Sequence, residues 1–166
     1  MAIRRYAANA DNTISNAFKE NLTTRATGSN MGQADVSEVF SIFARANTSS
    51  AELSRVLTQF DVDSISSDRT AGVIPASGSV SFYLKLFNAE TVRTVPKNFT
   101  IVAQAISRSW NEGDGLDLEN YRDSDQSNWI AADSTTNWTT AGGDYHSLPV
   151  FTQHFATGLE DLEIDI

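Results

Sequence analysis

The stretch Ser79–Phe87, SVSFYLKLF, constrains the fold more than any other. Val80, Phe82, Leu84 and Leu86 fall on one face at period two, and Ser81, Tyr83, Lys85 and Phe87 fall on the other. This alternation, rich in aromatic and branched side chains, is the pattern of a half-buried strand. A helix over the same residues leaves Lys85 among apolar neighbours and yields no clean stripe. The strand is expected to organise the chain, with Leu53–Val62 and Phe99–Ile106 flanking it in space.

At 166 residues the chain is long enough for one ordinary domain with a real core. It has no cysteine, so neither a disulfide framework nor a thiolate metal site is available. Stability must come from sheet packing, a partner or an oxygen-ligated ion. The net charge of -9 is unevenly spread. Residues 1–110 carry a net of +2, and residues 111–166 a net of -11. An acidic C-terminal third argues against wrapping a nucleic-acid backbone. It suits cation binding, docking on a basic partner or plain solvation. No stretch is apolar enough to span a membrane. The start, MAIRRYAANADNT, lacks an apolar stretch behind Arg4 and Arg5 and does not read as a secretory signal. The chain is expected to work where it is made or to leave the cell by another route, such as lysis.

Residues 1–12 read as a polar N-terminal arm, and 13–166 as the domain. Asp11–Phe18 holds a short strand anchored by Ile14 and Phe18, and Glu20–Met31 is turn material. Asp35–Ala44, DVSEVFSIFA, reads as the second clear strand, with a helix as competitor. Leu53–Val62 is the third, with Val56, Thr58, Phe60 and Val62 in phase. A crossover with little regular structure follows, then the organising strand and Phe99–Ile106. Residues 107–149 form a long acidic loop, whose order is expected to come from Trp110, Trp129 and Trp138. Val150–Phe155 and Leu159–Ile166 read as two late strands; the second either closes an edge or awaits a continuation. The pattern is all-β: an antiparallel β-sandwich of jelly-roll type with long loops.

Three segments carry a family resemblance. They are the Arg-containing strand ending in Phe-Asp at Ser54–Asp61 with Ser64-Ile65 after it, the Tyr- and Leu-containing strand Ser81–Leu86, and Trp110–Gly113 with Trp138-Thr139. Together they resemble the carbohydrate-binding-module-like β-sandwich domains called DNRLRE domains, over roughly residues 11–166. In those domains a further strand pair usually follows the segment that DLEIDI resembles. More closely, MAIRRYAANADNTISNAFKENL, SDRTAGVIPASGSVSFYLKLFNAE and SRSWNEGDGLDLENY are similar to virion structural proteins of tailed bacteriophages. The resemblance implies a structural or adhesive part of the particle (capsid decoration, neck, or tail and fibre) with itself and other virion proteins as partners.

No enzyme signature is present. His146 and His154 have no acidic residue at ligand-like spacing between them, and Gly28-x-x-x-Gly32 lacks the Lys-Ser/Thr that cradles phosphate. Glu112, Asp114, Asp117, Glu119, Asp123 and Asp125 could supply oxygen ligands to Ca2+, which would relieve their mutual repulsion; a solvated acidic loop is the plainer reading. Trp129, Trp138 and Tyr145 have the chemistry of a platform for host surface polysaccharide, or of core and subunit interface. Arg4 and Arg5 could carry the arm onto an acidic neighbour, including its 111–125 loop. Four sequons begin at Asn21, Asn47, Asn98 and Asn137 and read as coincidence in an Asn- and Thr-rich chain.

Overall fold

The computed structural model describes residues 3–123 and 125–166. Met1 and Ala2 of the expected arm lie outside the described residues. The chain is all-β, with seven strands and one short helix among the described residues. It divides into two compact units, Met1–Val62 with Ile106–Asp144, and Asp63–Ala105 with Tyr145–Ile166. Each unit has its own buried cluster.

The first unit is built on β3 (Ala51–Phe60), which lies between β1 (Ala8–Ser15) and β2 (Ser41–Phe43) in an antiparallel sheet. β1 starts inside the stretch expected to be an arm, and a register irregularity lies between Ala8 and Ala10. Asn12 and Ile14 stand opposite Leu57 and Arg55, so these residues share one face. That face meets a cluster of Ile14, Leu57, Trp110, Trp129, Ala132 and Trp138. The sequence put Val56 and Phe60 in the apolar phase of β3, but the core lies on the Leu53–Leu57 side. Arg55 is tolerated there because its guanidinium sits 5.3 Å from the Trp129 ring centroid and donates to the Gly142 carbonyl at 2.6 Å.

The other face of this sheet is buried and polar. Thr13, Ser15, Glu52 and Ser54 are all buried. The chain from 38 to 40 covers them through hydroxyl bonds: Glu38 N–H to Thr13 Oγ1 at 3.0 Å, Ser54 Oγ to the Glu38 carbonyl at 2.8 Å, and Phe40 N–H to Ser54 Oγ at 2.7 Å. This explains why the strand expected over Asp35–Ala44 shrinks to Ser41–Phe43: side chains occupy backbone groups that a ladder would need. Val36 and Val39 are exposed as a result.

The second unit contains two antiparallel pairs. β4 (Tyr83–Leu86) pairs with β7 (Leu162–Asp165), and β5 (Phe99–Ala103) pairs with β6 (Phe151–Phe155). Phe155, Leu162 and Ile164 form its buried cluster, with Leu84, Phe99, Ile101, Ala103 and Phe151 packed against it. The Phe99 and Phe155 rings stack at 5.0 Å. Gln153 joins the pairs, donating to the Asp161 carbonyl at 2.9 Å and accepting from Glu163 N–H at 2.6 Å. The expected organising strand survives only as β4, with Tyr83 and Phe87 exposed. Its alternation is real, since Leu84 and Leu86 stand opposite Ile164 and Leu162, but it has one ladder partner and is not central. The stretch expected to be irregular after β3 holds α1 (Val62–Thr70), none of whose residues is buried.

Candidate functional site

The long loop of the first unit is held by side chains that sequence periodicity does not rank. Asn30 is fully buried. Its Nδ2 donates to the Glu112 carbonyl at 2.6 Å and to the Ser127 carbonyl at 2.7 Å. Its Oδ1 accepts from Gly32 N–H at 3.0 Å and Gly115 N–H at 2.9 Å. Asn12, also fully buried, donates to Ser127 and accepts from Met31 N–H at 2.8 Å. The two amides thus staple residues 112–127 to β1 and to the 30–32 turn. Gly115 is required there, because a Cβ would fall well inside contact distance of the Asn30 carbonyl.

The six carboxylates proposed for calcium are spread over several local tasks. Glu112 Oε1 accepts from Asp11 N–H at 2.8 Å, and Glu119 accepts from Glu20 N–H. Asp117 Oδ1 takes the N–H groups of Glu119, Asn120 and Tyr121, and these bonds, that of Asn120 foremost, hold its carboxyl below the usual range. Asp123 accepts from Asp114 N–H at 3.2 Å and from Asp125 N–H at 3.1 Å. Asp114 and Asp125 are exposed. Partial desolvation, with Asp123 and Asp114 nearby, pushes the Tyr121 hydroxyl up. Among the described residues no three acidic or histidine side chains converge as a metal site.

Trp129 and Trp138 both lie in the apolar cluster, at 7% and 5% exposure. Trp138 Nε1 donates to the Asn128 carbonyl at 2.8 Å, and a Cβ at Gly142 would strike the Trp129 ring. Their faces are spent on packing. Tyr145 is exposed and belongs to the second unit. The three rings proposed as a platform are therefore not one cluster in the first unit. Arg4 and Arg5 are exposed ahead of β1. His146 and His154 are exposed as well. An open cleft of about 320 Å³ is lined by Thr27, Gly28, Arg122, Asn128, Ile130 and Ala131. One basic group among mostly backbone and apolar lining does not define a small-molecule site.

A cluster that the sequence reading missed lies at the start of β3. Glu52 is fully buried; its Oε2 accepts from Phe18 N–H at 2.7 Å and from Arg45 Nη1 at 3.2 Å, while Oε1 has no hydrogen-bond partner among the described residues. Arg45 Nη1 also reaches the Phe18 carbonyl at 3.3 Å. Arg25 lies 3.8 Å from the Phe18 ring centroid and donates to the Asn16 and Ala51 carbonyls at 2.6 and 2.8 Å. Residues 18, 25, 45 and 52 are scattered over four segments, and no local spacing joins them. No family model matches the chain, and neither a curated protein nor a solved structure matches it.

Proposed function

We propose that the chain is a non-enzymatic structural component of a phage particle, as capsid decoration, neck or tail and fibre, making contacts with itself and other virion proteins. The particle assignment rests on the resemblance of the three segments quoted above. The subunit role is carried by one observation, the surface of the second unit. That unit buries few large apolar side chains (Ile74, Phe155, Leu162 and Ile164), while Tyr83, Phe87, Val92, Val102, Leu148 and Leu159 are each more than half exposed. An apolar surface of this extent, beside strands with one ladder partner each, suits burial against another chain. The exposed arm with Arg4 and Arg5 is a second contact element. An antiparallel sandwich of jelly-roll type is the finer architecture we infer, since every strand pairing is antiparallel.

The alternative, a carbohydrate-binding module for host surface polysaccharide, draws less support, because Trp129 and Trp138 are buried. The test is the mass of the purified protein in solution, with calcium and with a chelator. A defined oligomer that survives chelation is the expected result. A monomer under both conditions would overturn the subunit reading, and an assembly lost on chelation would return the acidic loop to the status of a metal site.

A further inference from the structure

β4 is an open edge of the second unit. It pairs with β7 and has no other strand or helix beside it among the described residues. Ile166 N–H donates to the Phe82 carbonyl at 2.9 Å, in the register that sets Tyr83 opposite Asp165 and Leu84 opposite Ile164. Antiparallel ladders alternate, so bonding at Phe82 means that Leu84 and Leu86 also turn their backbone groups to β7. Tyr83 and Lys85 therefore point their N–H and C=O groups away from it. Among the described residues no hydrogen bond reaches these groups from the free side.

The two faces of this edge differ. Leu84 lies on the core side, packed against the Phe155–Leu162–Ile164 cluster. Tyr83 is 54% exposed on the outer side, and Lys85 beside it has its ammonium 2.8 Å from the Glu163 carboxylate. A free lysine discourages pairing at a sheet edge. This one is already neutralised within its own pair of strands.

A second β4 matches such an edge. With a two-fold axis at Leu84, an antiparallel copy sets Tyr83 opposite the second copy's Lys85, and the reverse, so the outward backbone groups of both strands are all bonded. An axis at Lys85 would oppose two ammoniums, and one at Tyr83 would leave Lys85 facing Ser81, outside the strand. Across the joined strands the outer row then runs Asp165, Tyr83 and the second copy's Lys85 and Glu163. The ammonium lies between an aromatic ring and a carboxylate, with a second carboxylate beyond the ring. The inner row runs Ile164, Leu84 and the second copy's Leu84 and Ile164, an unbroken apolar row through the axis.

We propose that β4 pairs antiparallel with β4 of a second copy about a two-fold axis at Leu84, joining the β4–β7 pairs of the two copies into one sheet. This rests on the subunit reading above and names its contact. Backbone bonds supply the attachment, and the Tyr83–Lys85 pairs fix the register.

The chain has no cysteine, so introduced thiols report the contact without background. Tyr83→Cys and Lys85→Cys proteins, mixed and oxidised, are expected to give mainly the mixed covalent dimer. Tyr83→Pro removes an outward N–H at the first residue of β4 and leaves the ladder to β7 intact; it is expected to weaken native self-association about tenfold or more. Tyr83→Lys opposes like charges and should weaken it by a similar factor, whereas Tyr83→Glu meets Lys85 and should hold it within about threefold. Circular dichroism melts confirm that each variant is folded. If the native protein is an oligomer that Tyr83→Pro leaves intact, and no mixed cross-link forms, this contact is wrong and the subunit reading stands. Equal weakening by Tyr83→Lys and Tyr83→Glu overturns the axis at Leu84. A native protein monomeric at high concentration overturns both the contact and the subunit reading.

Discussion

Asn and Asp side chains write much of this molecule's loop structure by accepting the N–H two residues ahead. Asn21, Asn47, Asp117, Asp123, Asn128 and Asp133 all do so. Two of the four sequons, at Asn21 and Asn47, thereby have a backbone explanation. Glu160 uses its carboxylate likewise, taking N–H groups of Thr157, Ala156 and Leu159, which lowers its pKa to about 2. A carboxyl depressed in the folded state contributes stability above its unfolded value that is lost as pH falls through the folded value. The Glu160 contribution is therefore present above about pH 4.5 and fades towards pH 2. Melting Glu160→Gln across this range should show a smaller acid-side loss than the parent. At Asn30, substitution by Ala strands the Gly115 and Gly32 N–H groups; the expected cost is about 3 kcal/mol or more in urea unfolding.

At the scale of elements, β3 takes the place that alternation assigned to Ser79–Phe87. It has ladder partners on both sides, and its faces are covered differently, one by tryptophan and the other by hydroxyls and Glu52. The long loop between β5 and β6 is ordered without regular structure because Trp110, Trp129 and Trp138 enter the cluster beside Leu57. Trp138→Phe keeps most of the apolar volume but loses the Nε1–H bond and leaves the Asn128 carbonyl unpaired. Destabilisation of about 1–3 kcal/mol is expected, against about 3–5 for Trp129→Ala, measured by denaturant unfolding. An outcome in which Trp129→Ala costs nothing would mean that the ring is not in the core.

At the scale of the whole molecule, the two units differ in how well they bury themselves. The unit containing β4–β7 has a small buried cluster, whereas the one containing β1 and β3 combines apolar packing with the Asn12–Asn30–Ser127 hydrogen-bond network. Amide exchange should accordingly be faster in β4 and β7 of the isolated chain than in β1 and β3. Association through the second unit would slow exchange in its strands selectively. Because the carboxylates of residues 112–125 serve separate turns and backbone contacts, a chelator is expected to leave the melting temperature unchanged; a clear drop would show that a cation closes the loop.

Sequence alone determined that the chain is all-β, that Phe99–Ile106, Val150–Phe155 and Leu159–Ile166 each hold a strand, and that three tryptophans order the long loop. These follow from local quantities: period-two alternation, β-branched and aromatic content, and the large apolar area of indole. The division into two units, the centrality of β3 and the fate of 35–44 depended on tertiary structure. DVSEVFSIFA has the composition of a core strand, yet Thr13 and Ser54 occupy its backbone groups from distant positions, and no window over 35–44 contains either residue. The Arg25–Arg45–Glu52 cluster and the Asn12–Asn30–Ser127 staple were invisible for the same reason. Single polar residues carry no periodic signal, and the partners that satisfy them are chosen only when the chain closes.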